Sequence, residues 1–350
     1  MQKILIISSG YYRGEKTHLD QITAIDGISF DIIANKSPKE SNVKRFSFSP
    51  SSFIKVSKQI KKASYSCIHC HGFRASVFIR LLSILVKLPP IIYTIHGFHS
   101  AYQATSIKGI TQILMERLLK NCQTSTICVS QSDLDSAIKL DCINKDNSTV
   151  IVNGIKPASL TTAPSPIHMF NSDDVICISS GSLEWRKGYD IIIEAAFQLK
   201  DMLTIKFIFL GSGPLQEELS NKIDNLGLTK QIYMAGHQTN VAAWLQHSHI
   251  YITASRWEGL PYGILEAFQN NLPTIASNAP GIRDCITHNE NGFLFELNNP
   301  HDLADKLNRL VNDNQLKSNF IEASNARLKN EFNEDIMKQK LKNIYDQFNT

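Results

Sequence analysis

Short runs of β-branched and aromatic residues alternate along this chain with longer stretches whose apolar positions recur every three to four residues. An alternation of that kind predicts parallel sheets wound with helices. In the first half it predicts strands at 3–8, 30–34, 67–71, 91–96, 126–130 and 149–152, with helices at 53–63, 75–86, 107–121 and 133–140. The stretch 156–166, with Pro157, Pro164 and Pro166 among serines and threonines, interrupts the pattern and reads as a linker. The alternation then restarts, with strands at 175–180, 205–210, 232–235, 250–253 and 274–276 and a short one at 292–296. Helices are predicted between them at 189–199, 215–226, 241–246, 263–270 and 301–312. A closing run, 334–348, carries Ile336, Leu341, Ile344 and Tyr345 at roughly helical spacing. The expected organisation is an α/β domain at 1–155, a linker at 156–170, a second α/β domain at 171–330, and a C-terminal helix within 331–350 that returns to the first domain.

Length agrees with two cores: the chain has 350 residues, and single hydrophobic cores rarely grow beyond roughly 250. Net charge is a mild +4, but it is unevenly placed: residues 1–160 hold 20 Lys and Arg against 10 Asp and Glu, while the remainder is net acidic. A basic first half points to an anionic surface or ligand, a solvated basic surface being the alternative. No nucleic-acid partner is expected. The seven cysteines are odd in number, and several sit in apolar runs such as Ile127-Cys128-Val129, as small core residues in a reducing compartment do. The apolar residues after Met1 are too few for a secretory leader, and the run from Val77 to Ile95 is broken by Arg80, Lys87, Pro89 and Pro90. A cytoplasmic protein is expected, with the inner face of the membrane as a candidate docking place.

Two short motifs are read as structural. Cys67-Ile68-His69-Cys70-His71 matches a haem-attachment pattern, but attachment requires export and the run lies where a buried strand is predicted. Asp133-Leu134-Asp135 resembles a metal-binding pair, yet Ser132 or Asp133 as a helix cap explains it more simply.

Chemistry concentrates later. Glu258-Gly259-Leu260-Pro261-Tyr262-Gly263-Ile264-Leu265-Glu266 places glycines and a proline between two acids, the composition of a loop feeding a helix. A helix start offers backbone N–H groups and a positive dipole end to a phosphate, while carboxylates accept from sugar hydroxyls. Gly181-Ser182-Leu183-Glu184-Trp185-Arg186-Lys187-Gly188 puts two cations just after a predicted strand, where ligands of α/β sheets bind. Asn278-Ala279-Pro280-Gly281 is a further glycine loop after a strand.

These strings, with Gly14-Glu15-Lys16-Thr17-His18, His96-Gly97 and Asn153-Gly154-Ile155, resemble retaining glycosyltransferases of family 4, the glycosyl transferases group 1. The resemblance covers most of the chain and is strongest from Gly181 to Leu297. It implies the GT-B fold: α/β, two Rossmann-like domains whose parallel sheets face each other across a cleft, the first for the acceptor and the second for a nucleotide sugar. It also implies roles. Lys187 contacts the donor pyrophosphate, with the backbone of Gly259, Leu260, Pro261, Tyr262, Gly263 and Ile264. Glu266 binds the ribose, Glu258 the transferred sugar, and the base lies near Gln238. Gly14 lets the first loop approach the phosphate, and His96 sits near the sugar or the acceptor. His96, Lys187 and Glu258 are the expected catalytic group. The family carries an arginine where this chain has Ser182, and Arg186 is the candidate substitute.

The expected activity is transfer of a hexose-type sugar from a UDP- or GDP-sugar to a hydroxyl of a glycan or lipid-linked acceptor, with retention, no cofactor and no metal. A nucleotide-sugar epimerase of the same fold and a catalytically silent sugar-nucleotide-binding subunit are the rival readings. The basic run 53–62, with Lys55, Lys58, Lys61 and Lys62, is a candidate for resting on an anionic membrane, a solvated helix packed on the sheet being the alternative.

Overall fold

A computed structural model of the chain describes residues 2–11, 13–35, 43–45, 49–98, 106–156 and 170–349. Most of the expected linker lies outside the described residues. The chain divides into two compact units, 1–154 together with 334–350, and 155–333.

The first unit is built on a parallel sheet in the order β3-β2-β1-β4-β5-β6-β7, formed by Gln2–Ser8 (β1), Ile28–Ala34 (β2), Lys44–Arg45 (β3), Cys67–His71 (β4), Ile91–Ile95 (β5), Ser125–Cys128 (β6) and Ser148–Val150 (β7). Its inner strands are covered by helices on both faces, and β1 and β5 are accordingly near-continuous apolar runs. On one face Leu5, Ile7, Ile68 and Tyr93 pack with Val56 and Ile60 of helix Pro50–Ala63, Phe78 and Leu82 of helix Phe73–Leu85, and Ile113 of helix Ile107–Leu119. On the other, Ile4, Ile6 and Ile92 pack with Leu19 and Ile22 of helix Arg13–Thr23 and with Met337, Leu341 and Tyr345 of the closing helix Glu334–Asp346. That closing helix is tied to the first sheet: the Gln2 amide donates to the Tyr345 carbonyl at 2.7 Å, and the Tyr345 hydroxyl meets Nδ1 of His69 at 2.7 Å.

The second unit repeats the plan. Its parallel sheet runs β10-β9-β8-β11-β12-β13, from Val175–Ser180 (β8), Ile205–Leu210 (β9), Ile232–Gly236 (β10), Ile250–Thr253 (β11), Thr274–Ser277 (β12) and Phe293–Phe295 (β13). Both sheets reverse direction of winding beside their first strand, between β1 and β4 and between β8 and β11. Each unit is therefore Rossmann-like, with a topological switch point at the carboxyl ends of those strands.

Three departures from the expected elements have physical reasons. Gly14, expected in a loop, lies in the first turn of helix Arg13–Thr23. The pattern hides that helix because its buried stripe includes His18 beside Leu19 and Ile22. The helix Asn314–Asn330 was not expected, since it buries little apolar surface. It is held by Phe320 edge-on to Phe293 at 5.0 Å and by Arg327, whose guanidinium donates to the Cys285 and Asp284 carbonyls at 2.7 and 3.0 Å. The cap expected at Ser132 or Asp133 is Ser130, whose hydroxyl accepts from the Asp133 amide, and the Asp133 carboxylate accepts from the Phe98 amide at 2.7 Å.

Arg80 and Glu116, 0% and 1% exposed, form a 2.8 Å ion pair beneath the first sheet. The Tyr93 hydroxyl also donates to Glu116 at 2.9 Å, and the Arg80 guanidinium stacks over the Tyr93 ring. Burial raises the Glu116 carboxyl's pKa, and the Arg80 charge opposes that rise. Removing one partner strands the other charge in the core. Glu116→Ala is expected to lower unfolding stability by about 3–5 kcal/mol. Urea denaturation of the variant reads this, and an unchanged midpoint would contradict it.

Candidate functional site

The switch point of the second sheet brings two loops together, one after β8 and one after β11. Gly181 leaves β8 and Lys187 lies against it: a Cβ on Gly181 would stand 3.2 Å from the Lys187 Cε. The turn Trp185–Lys187 then ends at Gly188, whose φ of +67° opens helix Tyr189–Gln198. A Cβ on Gly188 would meet the Ala254 carbonyl at 2.1 Å, so only glycine lets the two loops approach this closely.

Glu258 is the centre of the arrangement. It is buried, and its carboxylate accepts from the Lys187 ammonium at 2.6 Å, the Arg186 guanidinium at 2.6 Å and the Ser255 hydroxyl at 2.8 Å. Burial alone would raise its pKa, but the charges of Lys187 and Arg186 outweigh it and hold the carboxyl down to about 2. The two cations keep part of their side chains exposed, 19% for Lys187 and 24% for Arg186. Arg186 thus stands beside Lys187 as a second cation on the loop that begins at Gly181 and Ser182.

Arg256 locks the loops and was not singled out from sequence. Its guanidinium pairs with Asp190 at 2.7 Å, donates to the Asn298 side chain at 3.0 Å and stacks over Trp185 with its central carbon 4.2 Å from the ring centre. Its backbone amide donates to the Arg186 carbonyl at 2.8 Å. The only trace in sequence is an arginine next to the glutamate-bearing loop, and nothing there names Asp190 as its partner.

Past Glu258, Gly259 and Leu260 lead to Pro261, the N-cap of helix Tyr262–Gln269, which has no side-chain cap. Gly263 sits under Tyr251, whose hydroxyl would lie 2.4 Å from a Cβ there. Ile264 is fully buried and holds the helix start to the core. Glu266 lies one turn further, and burial pushes its carboxyl up to about 7. Gln238 follows β10, two strands from β8, and its amide donates to the Ala235 carbonyl at 2.6 Å.

In the first unit, His96 follows β5 and meets His71, the last residue of β4, Nε2 to Nδ1 at 2.9 Å. His18 joins them from helix Arg13–Thr23, its ring centre 4.7 Å from that of His96. Ligand atoms of the three rings lie within 4.8 Å of one another, a set that could hold a transition-metal ion. Both His18 ring nitrogens and Nε2 of His71 are buried without a hydrogen-bond partner among the described residues. Burial, followed by the neighbouring imidazoles, lowers the pKa of His18 and His71 well below the usual value, so both rings are neutral near pH 7. Neutral rings with unused nitrogens can donate to or accept from a ligand hydroxyl as well as bind a metal. Gly14 lies one turn of helix before His18, and neighbouring Glu15 has its carboxyl raised to about 7 by burial. The sequence points to His96, gives His18 only as the end of a resembling string and places His71 in the haem-like run; the pairing of β1, β4 and β5 brings the three together. The haem-like run is the buried strand β4, with Cys67 and Cys70 as free thiols.

The family model of glycosyl transferases group 1 matches residues 163–327, and that of glycosyltransferase family 4 matches residues 12–159. The chain is 28% identical over 309 residues to the UDP-Gal:alpha-D-GlcNAc-diphosphoundecaprenol alpha-1,3-galactosyltransferase of Escherichia coli, covering 84% of this chain and 78% of the relative. It is 26% identical over 290 residues to the glycosyltransferase EpsD of Bacillus subtilis, covering 78% and 75%. Among solved structures, Anabaena HepE in complex with UDP superposes with a TM-score of 0.85 at 20% identity, over 99% of this chain and all of that one. With two Rossmann-like units and family domains spanning most of its length, the chain belongs to the GT-B glycosyltransferases, a family 4 domain followed by a group 1 domain.

Proposed function

We propose that the chain moves a hexose-type sugar from a UDP- or GDP-sugar to a hydroxyl of a glycan or lipid-linked acceptor, with retention and without a metal, in the synthesis of cell-surface polysaccharide or lipopolysaccharide. The observation that carries this reading is the hold of buried Glu258 on Lys187 and Arg186, four residues before the start of helix Tyr262–Gln269. Donor and acceptor classes are supported by the E. coli relative, named for UDP-Gal and a diphosphoundecaprenol-linked sugar, and by Anabaena HepE, whose complexes contain UDP or UDP-glucose.

On this reading the donor diphosphate lies on the exposed sides of Lys187 and Arg186 and against the start of helix Tyr262–Gln269 at Gly263. Departure of the nucleoside diphosphate builds negative charge on its β-phosphate while the sugar gains oxocarbenium character. Glu258 keeps both cations in place before the donor arrives, so stabilising that charge requires little reorganisation. The acceptor hydroxyl attacks from the face the phosphate leaves, and the departing phosphate oxygen takes its proton. Glu266 accepts from the ribose hydroxyls, and the base lies near Gln238. His96, with neutral His18 and His71, offers ring nitrogens to hydroxyls of the sugar or acceptor.

Calorimetric screening of nucleotide sugars, followed by an assay of nucleoside diphosphate release with and without acceptor, tests the reading. Acceptor-dependent release supports transfer. Epimer formation from donor alone, or binding without release, would replace it with one of the rival activities. Lys187→Ala is expected to lower turnover more than tenfold, on the scale of losing one oxyanion donor. Normal turnover in that variant would remove Lys187 from the phosphate site.

Ionised Glu266 is the better acceptor for ribose hydroxyls, and its carboxyl titrates at about 7. Nucleoside affinity should therefore rise as pH climbs through 7 and level off above it. The same raised pKa means that folding stability attributable to Glu266 is present below its ordinary value of 4.5 and is lost as pH rises through about 7. In Glu266→Gln both dependences should flatten. Uridine titrations and thermal unfolding from pH 5 to 9 read the two effects, and parallel curves for variant and wild type would refute both.

A further inference from the structure

Seven of the eleven large apolar side chains that stand exposed among the described residues lie on three helices covering one face of the first sheet. Scattered exposed apolar residues need no explanation, but these are not scattered. Ile107, Ile110, Leu114 and Leu118 are spaced by three, four and four residues along helix Ile107–Leu119 and form one outward stripe roughly 16 Å long. Ile107 is 84% and Leu118 73% exposed, while Ile113, Glu116 and Leu119 of the same helix face the core. Ile84 and Leu85, at the end of the adjoining helix Phe73–Leu85, add two more exposed aliphatic side chains.

The charge around this stripe is predominantly basic, the exposed exception being Asp141, which pairs with Lys120 at 2.5 Å. Residues 50–120 contain ten Lys and Arg and a single acid, Glu116, which is buried on Arg80. Lys87, Lys108 and Arg117 are exposed beside the apolar residues, and the four lysines of helix Pro50–Ala63 line the neighbouring helix. That basic helix does not offer an apolar face of its own. Val56 and Ile60 are in the core and Phe53 stacks on Phe78 with ring centres 4.4 Å apart, which leaves Ile54 and the lysines outside.

We propose that this face of the first domain docks on an anionic lipid bilayer, the Ile and Leu stripe entering the headgroup boundary while the flanking cations meet lipid phosphates. Aliphatic side chains ringed by Lys and Arg have the chemistry of an interfacial contact. Each basic residue held near an anionic membrane favours binding by about fivefold, so several together act strongly and in a salt-dependent way. No helix among the described residues is long and apolar enough to cross a membrane, and docking of this kind needs none. The inference deepens the lipid-linked acceptor reading and rests on it, because docking brings the acceptor domain to the surface where such an acceptor lies.

Vesicle flotation tests it, using phosphatidylcholine alone and phosphatidylcholine mixed with phosphatidylglycerol. Wild type should float with the mixed vesicles and only weakly with the neutral ones. The double variant Leu114→Glu, Leu118→Glu should lose at least tenfold in partition, and replacing Lys55, Lys58, Lys61 and Lys62 with Ser should abolish the preference for anionic lipid. Because Leu114 and Leu118 are exposed, the double variant should keep its thermal unfolding midpoint and its calorimetric affinity for UDP. Wild type that stays with the soluble fraction, or a double variant that floats as wild type does, would overturn the proposal. So would a wild type that ignores vesicles and elutes as a dimer that the double variant loses, since a second copy would then cover the stripe. Retained UDP binding in those outcomes would leave the glycosyl-transfer reading standing.

Discussion

A buried carboxylate shared by two cations sets the arrangement of the second domain. Glu258 draws Lys187 and Arg186 onto one point, and Ser255 adds a third hydrogen bond. A carboxylate in that position would be costly alone, and two cations without it would repel each other. Together they form a cluster with one excess positive charge, partly open to solvent and backed by Arg256, Asp190 and Trp185. The cluster is closely packed because glycines let the loops touch: Gly188 lies against the Ala254 carbonyl, and Gly281 against the backbone of Glu258 and Gly259.

The first domain handles polarity differently. Its switch region gathers His18, His71 and His96, and burial keeps the two buried rings uncharged. One domain thus presents a net positive cluster, and the other presents neutral ring nitrogens. On the outside of the first domain, the core-facing sides of three helices are conventional and their outer sides combine aliphatic residues with a predominance of lysine and arginine.

Much of the fold was legible because parallel strands covered on both faces read as short, predominantly apolar runs. β4, β8, β9 and β11 have the boundaries that the pattern predicts. Elements stabilised by other means were not legible. The Asn314–Asn330 helix rests on Phe320 and on backbone contacts of Arg327, and the Arg13–Thr23 helix uses a histidine in its buried stripe. For that reason the sequence pattern puts Gly14 in a loop.

The sequence by itself determined the α/β alternation, the two-domain plan, and the strings that carry Lys187, Glu258 and Glu266, since each depends on local spacing along the chain. The pairing of Glu258 with Arg186 as well as Lys187, the clasp of Arg256 on Asp190, and the meeting of His18, His71 and His96 were decided by tertiary structure alone. These contacts join residues about 25 to 80 positions apart, and strand order, which sets which loop ends lie side by side, leaves no mark on neighbouring residues.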